Sequence, residues 1–242
     1  MVRATAPRQP VHFTLDDFRA VRIDSIPVQP LARDTFERET DLGWGVAEAG
    51  GPWVTDTPEH FFVRDASGRV KFDRGRKRSI RLSNVRELGA NIAVTLHADK
   101  LSRRGEQISS VVVRRVSEGN EYRVRLRRKI DGTVTLAITR LIDGDERVLT
   151  SEIRVAGAST IRPVRVIAQV RGQYPTTIKA SAYDAAGGRS IGWMLETTDR
   201  VAALQDVGTI GWAGSIDSII DNAPVTFIID DLLAAIPPPQ PS

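Results

Sequence analysis

Tyr122–Lys129 reads YRVRLRRK, Ile130-Asp131-Gly132-Thr133 follows, and Val134–Leu141 continues as VTLAITRL; these twenty residues decide the fold class. Tyr122, Val124 and Leu126 fall on one face and Arg123, Arg125 and Arg127 on the other. That is the two-residue period of a strand buried on one side, and a helical period would scatter both sets. Asp131-Gly132 lies at the centre of the connecting turn, so 121–141 reads as a β-hairpin.

The same alternation spreads outward. Asn91–Lys100 places Ile92, Val94, Leu96 and Ala98 on one face. Further strands are expected near 146–155, 164–171, 176–184, 191–197, 209–216 and 224–231, with Gly, Asp or Pro in most gaps. Helical signals are confined to one turn around Asp199–Gln205, with Thr198 as its cap. Many short strands between turn signals indicate an all-β chain folded as an antiparallel jelly-roll β-sandwich.

Composition sets the outer bounds. With 242 residues, 41% of them hydrophobic, the chain can bury one sizeable core. Cysteine is absent, which excludes disulfides and Cys-ligated metals. The opening MVRATAPRQPVHFTL lacks the apolar run of a secretory signal, and no stretch approaches the roughly 18 apolar residues of a membrane span. The expectation is synthesis in the cytoplasm without export and without a membrane span. Charge is uneven: residues 69–86 carry +7, residues 100–129 carry +7, and residues 184–242 carry −6. Such asymmetry is either a solvated face with scattered ion pairs or a surface that steers an anionic partner or a second copy of the chain.

Residues 11–18, VHFTLDDF, echo residues 225–232, VTFIIDDL. Either apolar strands coincide, or the chain derives from a tandem array whose preceding unit ends at 18. The expected organisation is an N-terminal arm and linker with one strand (1–33), a sandwich domain (34–233) and a Pro-rich tail (234–242) that projects from the body. The strand at 11–18 is expected at the sandwich's margin or in a neighbouring subunit.

From Asp34 the sequence runs DTFERETDLGWGVAEAGGPW; later come WMLETTDRVAALQDVGTIGW and VTFIIDDL. Together these resemble the LamG-like, concanavalin A-type jelly-roll modules of actinobacteria and their bacteriophages, over roughly 34–233. The resemblance implies the sandwich fold and, by association only, two roles. One is a minor tail or tail-tip component of a virion, partnered by other virion subunits and by itself as a homo-oligomer, and touching host surface glycans. The other is a secreted carbohydrate-binding module.

Three sets of residues could serve such roles. Trp44 and Trp53 sit at glycine-rich bends, Gly43-Trp44-Gly45 and Gly50-Gly51-Pro52-Trp53. They either anchor a sandwich end or stack on a sugar. Trp193 and Trp212, on expected strands, read as core. Asp34 opens the domain and Asp230-Asp231 close it, so their oxygens either share a structural Ca²⁺ or cap strands in solvent. Arg123, Arg125 and Arg127, with Arg114 and Arg115 before them, are expected to form a face for an anionic partner, either an acidic neighbouring subunit or an anionic cell-wall polymer. Nucleic acid is disfavoured there, because the nearby ring, Tyr122, points the other way.

No enzyme signature stands out. Asp143-Gly144-Asp145-Glu146 reads as a hairpin turn rather than paired catalytic carboxylates. His12, His60 and His97 are scattered, with His97 expected to face solvent, and no His-Glu-x-x-His segment exists.

Overall fold

In the computed structural model, which describes residues 30–159, 162–187 and 192–238, the hairpin at 121–141 forms as expected. Tyr122 pairs with Arg140 and Leu126 with Leu136. Gly132 adopts a left-handed φ of 82° in the turn, which Lys129 closes by donating its N–H to the Thr133 carbonyl at 2.9 Å. Tyr122, Val124 and Leu126 are fully buried. Each such side chain is worth about 1.5–3 kcal/mol out of water, so a one-residue slip, exchanging them for three arginines, is excluded.

Sixteen strands are present among the described residues. They are β1 (Ala32–Asp34), β2 (Trp53–Val54), β3 (Phe61–Arg64), β4 (Ser67–Phe72), β5 (Lys77–Leu82), β6 (Ala90–Ala98), β7 (Gln107–Ser117) and β8 (Asn120–Arg128). They continue with β9 (Val134–Ile142), β10 (Asp145–Val148), β11 (Ile153–Arg154), β12 (Val164–Arg171), β13 (Thr176–Asp184), β14 (Leu195–Asp199), β15 (Thr209–Ile216) and β16 (Val225–Ala235). The first sheet runs β14-β13-β12-β6-β16-β4-β3 with β1 on β16; the second runs β10-β9-β8-β7-β15-β5-β2 with β11 on β9. All strand pairs are antiparallel, and the chain crosses repeatedly between sheets, which is jelly-roll architecture. Ile92, Val94, Leu96, Val166, Ala168, Phe227 and Ile229 of the first sheet face Val111, Val124, Leu126, Leu136, Ile138 and Trp212 of the second.

Several expectations need correction. The strand expected at 146–155 is two short ones, β10 and β11, with a crossing segment between. Residues 199–205 form only a 3-10 turn, Ala202–Leu204, and Thr198 does not cap it. Trp212 is core, but Trp193 precedes β14 and is exposed. His97 lies on β6 half-buried rather than in solvent, and burial lowers its pKa. The start of the tail docks instead of projecting: the Pro238 carbonyl accepts a hydrogen bond from Arg171, and Pro237 lies against Gly89. The segment 11–18 lies outside the described residues.

Two buried arginines lie between the sheets. Arg114 donates to Thr176 Oγ1 at 2.8 Å and to the carbonyls of Leu88, Gly172 and Leu204, binding four segments together. Burial lowers its pKa to about 10. Arg128 is fully enclosed yet among the described residues its side chain makes one hydrogen bond, Nη2 to the Leu96 carbonyl at 2.7 Å, and Nε and Nη1 have no partner.

Candidate functional site

Asp34-Thr35-Phe36-Glu37-Arg38, the opening of the resemblance, folds into a closed local unit. Arg38 donates Nη1 to Asp34 Oδ1 and Nη2 to Oδ2, both at 2.7 Å. Trp53 Nε1 donates to the same Oδ2 at 2.7 Å, and the Phe36 N–H to Oδ1 at 2.9 Å, fixing Phe36 at a left-handed φ of 56°. Phe36 and Trp44 meet edge to face at 5.4 Å, and Trp44 and Trp53 at 5.0 Å. Contacts from Trp44 to Phe61 and Trp212 carry the cluster into both sheets.

This geometry corrects two expectations. Trp44 is wholly buried and Trp53 nearly so, so neither indole offers a face to a sugar. For Ca²⁺, β1 does pair with β16 and sets Asp34 opposite Leu232, so the two strand ends are neighbours. The cation on Asp34, however, is the Arg38 guanidinium, which takes both oxygens. Asp230 is half-buried, bonded to the Asp231 N–H at 2.7 Å, and burial raises its pKa. Among the described residues no three Asp, Glu or His side chains gather as metal ligands. The residues do not fit a calcium site.

The arginine row of β8 points away from the core, as its alternation requires, but it is matched within the chain. Glu121 takes Arg115 at 2.5 Å and also Arg123. Arg125 reaches Glu146 at 3.1 Å, and Arg127 reaches Glu106 at 3.2 Å and Glu152 at 3.3 Å. Arg125 is only 7% exposed. The row is thus an ion-pair lattice, and the expected free face at Arg123, Arg125 and Arg127 is corrected accordingly.

The open face of the second sheet carries a trough instead. Its floor is low because facing positions hold short side chains: Ser79 on β5, Ala213 and Ser215 on β15, and Ser110 on β7. Thr55, Asp56 and Thr57, which follow β2, form one wall; Arg123, Leu141 and Glu146 form the other. This hollow holds about 350 Å³. A second, of about 490 Å³, continues it toward Arg81, Arg86, Arg115 and Glu118. Asp56, Ser79 and Arg123 line both. Among the described residues no aromatic side chain lines either hollow.

Of the residues that line the two hollows, the sequence marks only Arg123, with Arg115 beside it, as a candidate. Asp143–Glu146 reads as a turn, and Asp143-Gly144 is one, yet pairing of β10 with β9 carries Glu146 over Arg125 and into the wall. Lys77 and Arg81 alternate with Ile80 and Leu82, a signal available in the sequence but left within the basic run 69–86.

No family model and no curated protein sequence matches the chain. Solved structures do match in fold. A carbohydrate-binding module, CBM66 from Bacillus subtilis, superposes with a TM-score of 0.54 at 12% identity, over 76% of this chain and 94% of that one. The laminarinase from Rhodothermus marinus gives 0.56 at 10% identity, over 86% of this chain and 96% of that one. The xylan β-1,4-xylosidase from Bacillus halodurans C-125 gives 0.56 at 12% identity; it covers 96% of this chain, which spans only 41% of that enzyme. At these identities the likeness establishes the jelly-roll fold alone.

Proposed function

We propose that this chain is a non-catalytic glycan-binding module of a secreted or cell-surface protein, with the trough on the second sheet as its site. The observation that carries the reading is the trough: a continuous hollow with a short-side-chain floor and walls of hydroxyls, carboxylates and guanidinium groups, which suit the hydroxyl-rich edges of sugars. The shared architecture with a carbohydrate-binding module and two glycan-cleaving enzymes supports it by analogy. Binding rather than cleavage is favoured because an acid catalyst needs a carboxyl free to reach the glycosidic oxygen. Of the trough's four carboxylates, Glu121 and Glu146 are engaged by arginines, and Asp56 and Glu118 stand exposed to solvent rather than enclosed as an acid catalyst's carboxyl is. The carboxyl that burial raises, Asp230, is on β16 of the other sheet.

The alternative reading, a virion tail component, loses its footing at the opening motif. Asp34, Phe36, Arg38, Trp44 and Trp53 hold one another in the core, so the motif reports fold and is silent on assembly.

The test is a plug. Ser79 faces the trough from β5, and Ser79→Trp fills the floor without entering the core. On a glycan array the wild-type chain is expected to retain a subset of glycans that Ser79→Trp releases at unchanged Tm. Equal retention by both proteins, or retention of no glycan by the wild type, overturns the reading.

A further inference from the structure

We infer that the trough selects anionic glycan chains, those carrying carboxylate or phosphate groups at intervals along the polymer, through Lys77, Arg81 and Arg86. The inference rests on the glycan-binding reading and deepens it.

The arginines of the trough are mostly committed. Arg115 and Arg123 share Glu121, and Arg78 lies over the Phe72 ring, donates to the Lys71 carbonyl at 3.0 Å and has Asp73 at 3.9 Å. Lys77, Arg81 and Arg86 differ: they line the two hollows, and no side-chain hydrogen bond or ion pair engages them among the described residues. Lys77 and Arg81 occupy one face of β5, four residues and so about 13 Å apart. Arg86 follows beyond the strand end. A line of uncommitted cations of that length exceeds one monosaccharide and fits repeated oxyanions on a chain.

Two further features favour a charged ligand. Among the described residues the trough has no ring on which a neutral sugar could stack, so recognition falls to hydrogen bonds and charge. Its ionised side chains also leave a surplus of positive charge: Lys77, Arg78, Arg81, Arg86, Arg115 and Arg123 outnumber Asp56, Glu118, Glu121 and Glu146. The same absence of rings argues against single-stranded nucleic acid, whose bases need stacking platforms.

The test measures binding of the whole chain by biolayer interferometry to four immobilised polymers: polygalacturonate, a glycerol-phosphate wall polymer, neutral laminarin and single-stranded DNA. The expected result is preference for one or both anionic glycans, weakened by added salt. Lys77→Ala/Arg81→Ala/Arg86→Ala should lower that affinity by roughly tenfold, the yield of three modest charge contacts. Arg103→Ala/Arg147→Ala/Arg154→Ala, which removes the same charge from exposed positions outside the trough, should not. Polygalacturonate or the phosphate polymer as the better ligand identifies which oxyanion is read.

Laminarin bound as tightly as the anionic glycans, and released by Ser79→Trp, overturns the anionic selection while leaving glycan binding intact. Binding to none of the glycans overturns both. DNA bound equally with the same dependence on Lys77, Arg81 and Arg86, or equal losses in both triple variants, also overturns the inference.

Discussion

Replacing Asp34 by alanine removes the acceptor on which the opening motif closes. The carboxylate is fully buried and receives four hydrogen bonds, two from Arg38 and one each from Trp53 Nε1 and the Phe36 N–H. Breaking a buried ion pair costs about 3–5 kcal/mol, and each stranded buried donor about 1–3 kcal/mol. These do not simply add. The Arg38 side chain is 23% exposed and can turn toward water, so its share belongs at the low end. A total of about 3–5 kcal/mol remains, and at about 2–4 °C per kcal/mol for a chain of this size Tm should fall by roughly 6–20 °C. Asp34→Asn keeps the shape and one acceptor and should fall by about half as much. Differential scanning calorimetry measures both. A drop within about 3 °C for Asp34→Ala would refute the reasoning, showing that the four hydrogen bonds do not hold the motif.

Chelation gives the complementary result. Because Arg38 already occupies both Asp34 oxygens, EDTA followed by calcium should leave Tm unchanged, and a reversible shift in a melting curve would restore a metal there. Arg128 carries a buried charge with no acidic partner among the described residues, so Arg128→Met should match or exceed wild-type stability in chemical denaturation. A loss above about 2 kcal/mol would mean that Arg128 has a stabilising partner such as enclosed water. His97 has a folded pKa below its unfolded value of about 6.5, first from burial and then from the Arg128 charge. Its neutral form is favoured in the folded chain, so its contribution is intact above the unfolded pKa and is lost as pH falls through the folded one. Urea titrations at descending pH should show that loss, reduced in His97→Gln; identical profiles for the two proteins would exclude His97 as the source.

The fold was legible because it rests on local alternation. The strands at 164–171, 176–184 and 209–216 coincide with β12, β13 and β15, whose inward residues repeat every second position. Trp193 lies in an apolar-looking run, IGWMLE, that reads as strand, whereas β14 begins after it. The site was less legible because it depends on which strands become neighbours. Lys77, Ser110, Glu146 and Ser215 are distant in sequence, and only the order β9-β8-β7-β15-β5 gathers them around one hollow. The rows of arginines looked like a free cationic face because their glutamates, Glu106, Glu146 and Glu152, arrive from other segments. Trp44 and Trp53 are ambiguous for the same reason: packing of Trp44 against Phe61 and Trp212, and of Trp53 against Phe36 and Trp44, is a tertiary fact.

Hydrogen–deuterium exchange with and without a retained oligosaccharide tests the glycan-binding role of the trough most directly. Protection should appear at 53–57, 77–82, 108–110 and 213–215, which line or flank the trough, and leave β12, β13 and β14 on the opposite sheet unchanged. Protection confined to the first sheet, or none at saturating ligand, would contradict a glycan site on this face.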